Sequence, residues 1–215
     1  MKLPTVSFAL CLALAATVRA NPIAAEIGEQ ARTPPSRIGV SLGLGGGVTN
    51  FTSSEMTSAV DVGGAYELRA TFGTRLFLAG EVAYVGARRN VGLSGVSGAP
   101  GEAPHVFSNG VEGVLRAQYP SLKGKWLLAP FAFGGLGYTH YGVDGVVAAG
   151  SNLATSDDVL AVPFGAGVMA AWNGLVLEGR FTYRAIFDED LVTRADGTAV
   201  SMDNWSAAAL IGYEF

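Results

Sequence analysis

Cysteine is almost missing from these 215 residues: the only one, Cys11, sits in an apolar run near the N-terminus. Once that run is removed the chain has no thiol, which excludes a disulfide, a cysteine nucleophile and a cysteine metal site. Charged residues are sparse as well, at 15% of the total, and acids outnumber bases 18 to 14. Nucleic-acid binding is dominated by phosphate neutralisation, so a chain with this balance is not expected to bind it. Good helical periodicity is absent too. No segment carries a helical run to match the alternating stretches described next.

Residues 1–20 read as a cleaved export signal. Lys2 provides the positive start, Val6 to Val18 is apolar, and Val18-Arg19-Ala20 places small residues at the positions a signal peptidase reads. The run is shorter than the roughly 20 residues a spanning helix needs. Cleavage after Ala20 removes Lys2 and Arg19, leaving 12 basic and 18 acidic residues and a net charge of −6. No cysteine near Ala20 could carry a lipid. Residues 21–37, with Pro34-Pro35 and no periodicity, form an expected short periplasmic tail. One domain, 38–215, remains.

That domain divides into eight alternating segments, each longer than the roughly 9–11 tilted residues that cross a bilayer as a strand. They run at about Ile38–Phe51, Ala59–Phe72, Arg75–Ala87, Val106–Tyr119, Trp126–Tyr138, Leu160–Trp172, Leu175–Phe187 and Asn204–Phe215. Gly73-Thr74, Pro120–Lys125 and Asn173-Gly174 are the expected short turns, the last a strong hairpin signal. The longer connections are Thr52–Ser58, Arg88–His105, about His140–Val159 and about Asp188–Asp203. Short turns alternating with long loops, around strands of alternating polarity, predict an all-β fold: an eight-stranded antiparallel transmembrane β-barrel in up-and-down order.

Face assignment sharpens the prediction. Val60, Val62, Tyr66, Leu68, Ala70 and Phe72 share one face of the second strand, opposite Asp61, Glu67, Arg69 and Thr71. In the third, Leu76, Leu78, Val82 and Tyr84 oppose Glu81. Val111, Leu115, Ala117 and Tyr119 oppose Glu112, Arg116 and Gln118 in the fourth, and Leu175, Leu177, Phe181 and Tyr183 oppose Glu178, Arg180, Thr182 and Arg184 in the seventh. The fifth and sixth strands are apolar on both faces. Pro130 predicts a bulge or locally irregular pairing in the fifth. Aromatics gather at two expected rims, Phe72, Tyr119, Trp126, Trp172 and Phe215 by the short turns, and Phe51, Tyr84, Tyr138, Tyr183 and Trp205 toward the loops.

The last strand places Trp205, Ala207, Ala209, Ile211, Tyr213 and Phe215 on one face and Ser206, Gly212 and Glu214 on the other. Ile211, Tyr213 and a terminal Phe215 resemble the assembly signal of the OmpA/OmpX-like small outer-membrane barrels, although Leu210 stands where many members carry Gly. The resemblance covers about Ile38 to Phe215. It implies a place in the outer membrane of a Gram-negative cell, with outer-membrane lipid and lipopolysaccharide as neighbours and the outer-membrane assembly machinery as a partner through the C-terminal strand.

With lipid outside, the polar faces collect Glu67, Arg69, Glu81, Glu112, Arg116, Glu178, Arg180, Arg184 and Glu214 in the lumen. Ions in so narrow a space must pair, which predicts a network that plugs the barrel. Gly43, Gly45 and Gly47 leave an inward stripe of the first strand without side chains, either to receive arginines from across the barrel or to leave a water-filled gap. The expected function is structural and interactive, with a rigid barrel displaying extracellular loops. Its rivals are a narrow pore lined by the Glu/Arg network and a soluble lipocalin-like carrier, which needs the inverse of these faces.

Catalysis is not expected. Lipid A deacylases of this size carry His and Ser two residues apart, whereas His105 is followed by Val106-Phe107 and His140 by Tyr141-Gly142, and Thr139 and Asp144 do not complete a triad. No cofactor or metal is expected either. The last two long loops hold Asp144, Asp157, Asp158, Asp188, Glu189, Asp190, Asp196 and Asp203 against Arg194 alone, but without the spacing of a calcium loop.

Overall fold

Successive side chains of a strand point to opposite sides, so a segment apolar on one side and charged on the other is satisfied only when the sheet separates two environments. Here a closed barrel separates them. The computed structural model describes residues 38–91, 105–144, 156–187 and 200–215. The signal at 1–20, the tail at 21–37 and the acids Asp188, Glu189, Asp190 and Asp196 lie outside the described residues.

The strands are β1 (Val40–Phe51), β2 (Gly63–Phe72), β3 (Leu78–Asn90), β4 (His105–Gln118), β5 (Ser121–Lys123), β6 (Trp126–Asp144), β7 (Ser156–Trp172), β8 (Leu175–Phe187) and β9 (Asn204–Glu214). Each ladder is antiparallel, and β1 pairs with β9 from Ser41↔Glu214 to Phe51↔Asn204, which closes the ring. β5 is no separate stave. Its pairs with β6, such as Ser121↔Leu128, continue the register of Gln118↔Phe131 across Pro120. Eight staves therefore make the wall, in the up-and-down order expected, and closure leaves no open edge. Among the described residues no helix is long and apolar enough to cross a membrane.

Several boundaries differ from the sequence expectation. The turn expected at Pro120–Lys125 shrinks to Gly124-Lys125, with Gly124 at φ +66°. The two-residue turn at Gly73-Thr74 is a five-residue connection reaching Phe77, braced by Gln118, whose Nε2 donates to the carbonyls of Gly73 and Leu76 at 2.9 and 2.8 Å. Asn173 and Gly174 both take positive φ, 50° and 84°, the conformation a tight hairpin needs. Strands β6 and β7 reach further into the long-loop end than expected, so His140, Asp144, Asp157 and Asp158 are strand residues.

The expected strand start at Ala59 is instead the end of a short helix, α1 (Ser54–Ala59), which the absence of helical periodicity did not foretell. Ser53 caps it, accepting from the Met56 N–H, and the helix exists to bury Met56. Val60, expected on the outer face, is buried beside it. Phe51, expected at the rim, is buried as well. Together with Val106, Tyr141, Val159, Ile186 and Met202 these residues form an apolar cap across the long-loop end.

Pro130 does not bulge the sheet. It faces outward, pairs in register with Val168, and its carbonyl accepts from the Tyr119 N–H at 3.0 Å. The β6–β7 ladder is interrupted instead between Gly134↔Phe164 and Gly137↔Ala161, where Pro163 lacks an N–H to give. The two ambiguous strands are settled by packing: Leu127, Ala129, Phe131 and Phe133 of β6 and Pro163, Met169 and Ala171 of β7 face inward.

Gly174→Val places a branched side chain in left-handed backbone, where a Cβ would also lie 2.7 Å from the Tyr213 ring. Urea titration of the folded barrel in micelles should record a loss of about 1–2 kcal/mol or more.

Candidate functional site

The charged side chains of the wall alternate inward with a period of two, and register decides which of them meet. Glu67 and Arg69 come from β2, Glu81 from β3, Glu112 and Arg116 from β4, Glu178, Arg180 and Arg184 from β8, and Glu214 from β9; all nine are buried. Glu81 is the hub. Its carboxylate accepts from Arg69 Nη1 at 2.5 Å, Arg116 Nη1 at 2.9 Å and Arg180 Nη2 at 3.2 Å. Because β8 is four staves from β3 around the ring in either direction, the Arg180–Glu81 bond spans the lumen. Arg69 also grips Glu67 through Nε at 2.6 Å, and Arg116 reaches Glu178 at 2.7 Å.

Register does not gather all nine into one network. Three acids and three bases form the central cluster: Glu67, Glu81 and Glu178 with Arg69, Arg116 and Arg180. Arg184 instead pairs with Glu112 at 2.5 Å and donates to Ser206 Oγ at 2.8 Å. Glu214 lies toward the short-turn end, bonded to the Thr74 hydroxyl and to Arg75 Nε and Nη2 at 3.1 and 3.0 Å. Arg75 was absent from the expected set, since it falls at a strand edge.

Two aromatic rings that the sequence reading did not assign to the site complete the cluster. The Arg116 guanidinium stacks 3.5 Å from the Phe131 ring centroid, and that of Arg180 lies 4.0 Å from Phe133. The rings stand directly across from glycines, Phe131↔Gly167 and Phe133↔Gly165. A Cβ at Gly165 would come 2.9 Å from the tip of Phe133. The Phe-x-Phe of β6 facing the Gly-x-Gly of β7 was the available signal. The π faces also lie where Nε of Arg116 and of Arg180 have no hydrogen-bond acceptor.

The glycine stripe of β1 turns inward and is partly filled by its own neighbour. Leu210 of β9 is buried over Gly45, where a Cβ would lie 2.7 Å from its Cγ. A cavity of about 20 Å³ remains beside Gly43, lined also by Ser41, Arg69 and Glu178, so neither a row of arginines nor a broad gap occupies the stripe.

Outside the barrel, Ile211, Tyr213 and Phe215 are exposed, with the Tyr213 and Phe215 rings edge to face at 5.2 Å. At the long-loop end His140 Nδ1 lies 2.7 Å from Asp158 Oδ1. His105 faces Asp144 at 3.8 Å. Thr139 points into the lumen, on the face opposite His140. Asp203, read from sequence as a loop acid, accepts from the Ile186 N–H at 2.8 Å and the Tyr183 hydroxyl at 3.0 Å, pinning β9 to β8.

Glu81→Ala strands three guanidiniums beside one another. Equilibrium unfolding in micelles should record a loss of about 3–5 kcal/mol, and a smaller one for Arg75→Ala, whose side chain is 30% exposed.

No protein-family model matches the chain, and no curated protein is similar to it in sequence. Solved structures are similar in fold. Ail, the attachment invasion locus protein of Yersinia pestis, solved with the heparin analogue sucrose octasulfate, superposes with a TM-score of 0.51 at 9% identity, over 83% of this chain and 99% of that one. Neisserial surface protein A gives 0.47 at 14% identity over 85% and 100%. The N-terminal β-barrel domain of Pseudomonas aeruginosa OprF gives 0.45 at 11% over 81% and 97%. The fold, eight antiparallel strands in meander order closed on themselves, is therefore like that of Ail.

Proposed function

We propose that this protein is exported through residues 1–20, spans the outer membrane, and serves there as a structural and surface-interaction protein whose barrel holds extracellular loops. The observation that carries this reading is the central cluster, in which Glu81 receives three arginines from three staves and the Arg116 side chain is fully buried. A lumen filled by paired charges suits a scaffold better than a conduit. The outer surface supports the membrane setting. Leu68, Val82, Leu115, Phe164, Leu177 and Ile211 are exposed around the middle of the wall, and Tyr119, Trp126, Trp172 and Phe215 near the short turns. A soluble carrier would present the inverse.

On this reading Ile211, Tyr213 and Phe215 are what the assembly machinery recognises on the C-terminal strand, and outer-membrane lipid and lipopolysaccharide surround the belt. No catalytic step is assigned, because His105 and His140 face carboxylates on the outer wall and no serine stands two residues from either. The heparin analogue bound to Ail does not transfer as a ligand: the last two loop segments read from the sequence are acidic, with Arg194 the only Arg or Lys in them.

Two measurements test the reading. Leu115→Arg places a cation near the middle of the belt, and the unfolding free energy measured from bilayers should fall by about 2–4 kcal/mol relative to the parent; an unchanged value would remove the lipid-facing assignment. Planar-bilayer recordings on the folded protein should be silent, whereas discrete, reproducible steps would replace the scaffold with the rival pore lined by the Glu/Arg cluster.

A further inference from the structure

Arg89 is the inward cation that pairing leaves over. Each of the five lumen carboxylates, Glu67, Glu81, Glu112, Glu178 and Glu214, bonds at least one of Arg69, Arg75, Arg116, Arg180 and Arg184. Arg89, on β3 beneath the apolar cap, is 2% exposed and lies within ion-pair distance of no carboxylate among the described residues. Its Nη2 donates to Thr49 Oγ1 at 2.8 Å, and its guanidinium stands 4.4 Å from the Phe51 ring centroid. Nε and Nη1 have no hydrogen-bond partner. A buried guanidinium in this state is among the costliest arrangements a protein interior can hold.

The wall around it is rich in donors. Arg89 lines a cavity of about 30 Å³ with Ser108, Thr139, Tyr141, Arg184 and Ser206. Thr139 Oγ1 is likewise buried without a partner. The Tyr141 hydroxyl accepts from Asn204 Nδ2 at 3.1 Å and Ser206 Oγ accepts from Arg184, so each keeps a proton to give. Glu67 is the one acid in the lining, and its carboxylate is held by Arg69. Unused donors, a net positive charge and room for about one water-sized particle describe the coordination shell of a small anion.

We propose that this cavity binds one monatomic halide, with Arg89 as its counter-charge and Thr139 as a further donor. A water molecule would satisfy the donors and leave the charge unbalanced, which is why an anion is the better occupant. The site neutralises the extra arginine and fastens the cap to the ionic core below it.

The test uses the whole protein folded in detergent micelles. Its unfolding temperature is measured against bromide concentration, with gluconate holding the ionic strength constant, and crystals soaked in bromide are examined for anomalous scattering. The expected result is a saturable rise in unfolding temperature and an anomalous peak beside Arg89. Thr139→Val, which keeps the charge and removes one donor, should raise the half-saturating concentration about tenfold, the loss of one hydrogen bond to a charged group. Arg89→Gln should abolish the response. If Arg89→Gln does not fold, the parent's peak and the Thr139→Val shift decide the matter. Equal behaviour in bromide and gluconate, with no anomalous peak at Arg89, would overturn the proposal.

Discussion

A carboxylate taken out of water loses several kcal/mol of hydration, and Glu81 recovers it by accepting from three guanidiniums at once. The rest of the lumen follows from that arrangement. The three arginines come from β2, β4 and β8, so the bonds that solvate Glu81 also hold opposite walls of the barrel at a set distance. Glu67 and Glu178 then balance the excess positive charge that one acid and three bases would leave. Arg116 and Arg180 have further nitrogens without acceptors, and their guanidinium carbons lie over the Phe131 and Phe133 rings.

Closure and alternation set the terms for this core. A closed ring pairs the backbone of its first stave with that of its last, as Ser41↔Glu214 does here, and leaves no unpaired edge. With the backbone satisfied in the wall, side chains alone distinguish inside from outside. Apolar residues face out along the middle of every stave, so the interior must be built from what remains: charges, glycines and a few large apolar groups. The two apolar clusters lie on either side of this logic. One, around Leu127, Met169 and Val176, packs near the short turns, and the other caps the long-loop end.

Much of this was legible in the chain. The period-two alternation of β2, β3, β4 and β8 identified the outward Leu68, Val82, Leu115 and Leu177 and the inward Glu67, Glu81, Arg116 and Arg180, because alternation is a property of the strand itself. Asn173-Gly174 marked its turn for a similarly local reason. The misreadings fall where local pattern carries no information. Strands β6 and β7 are apolar on both faces, and only the ring-over-glycine pairs Phe131↔Gly167 and Phe133↔Gly165 settle which side is in. Phe51 and Val60 looked like rim and belt residues, yet they turn into a cap that forms only when α1 and Met202 fold over the opening.

The sequence by itself determined the strands, their faces and the existence of a charged interior, since each depends on residues within one segment and on a periodicity the backbone imposes. Tertiary structure decided the partners. Whether Arg184 meets Glu81 or Glu112, whether Arg89 finds an acid, and whether Leu210 fills the space over Gly45 depend on register and on which staves face each other across the lumen. Those are relations between residues distant along the chain, and closing the barrel is what brings them within bonding distance.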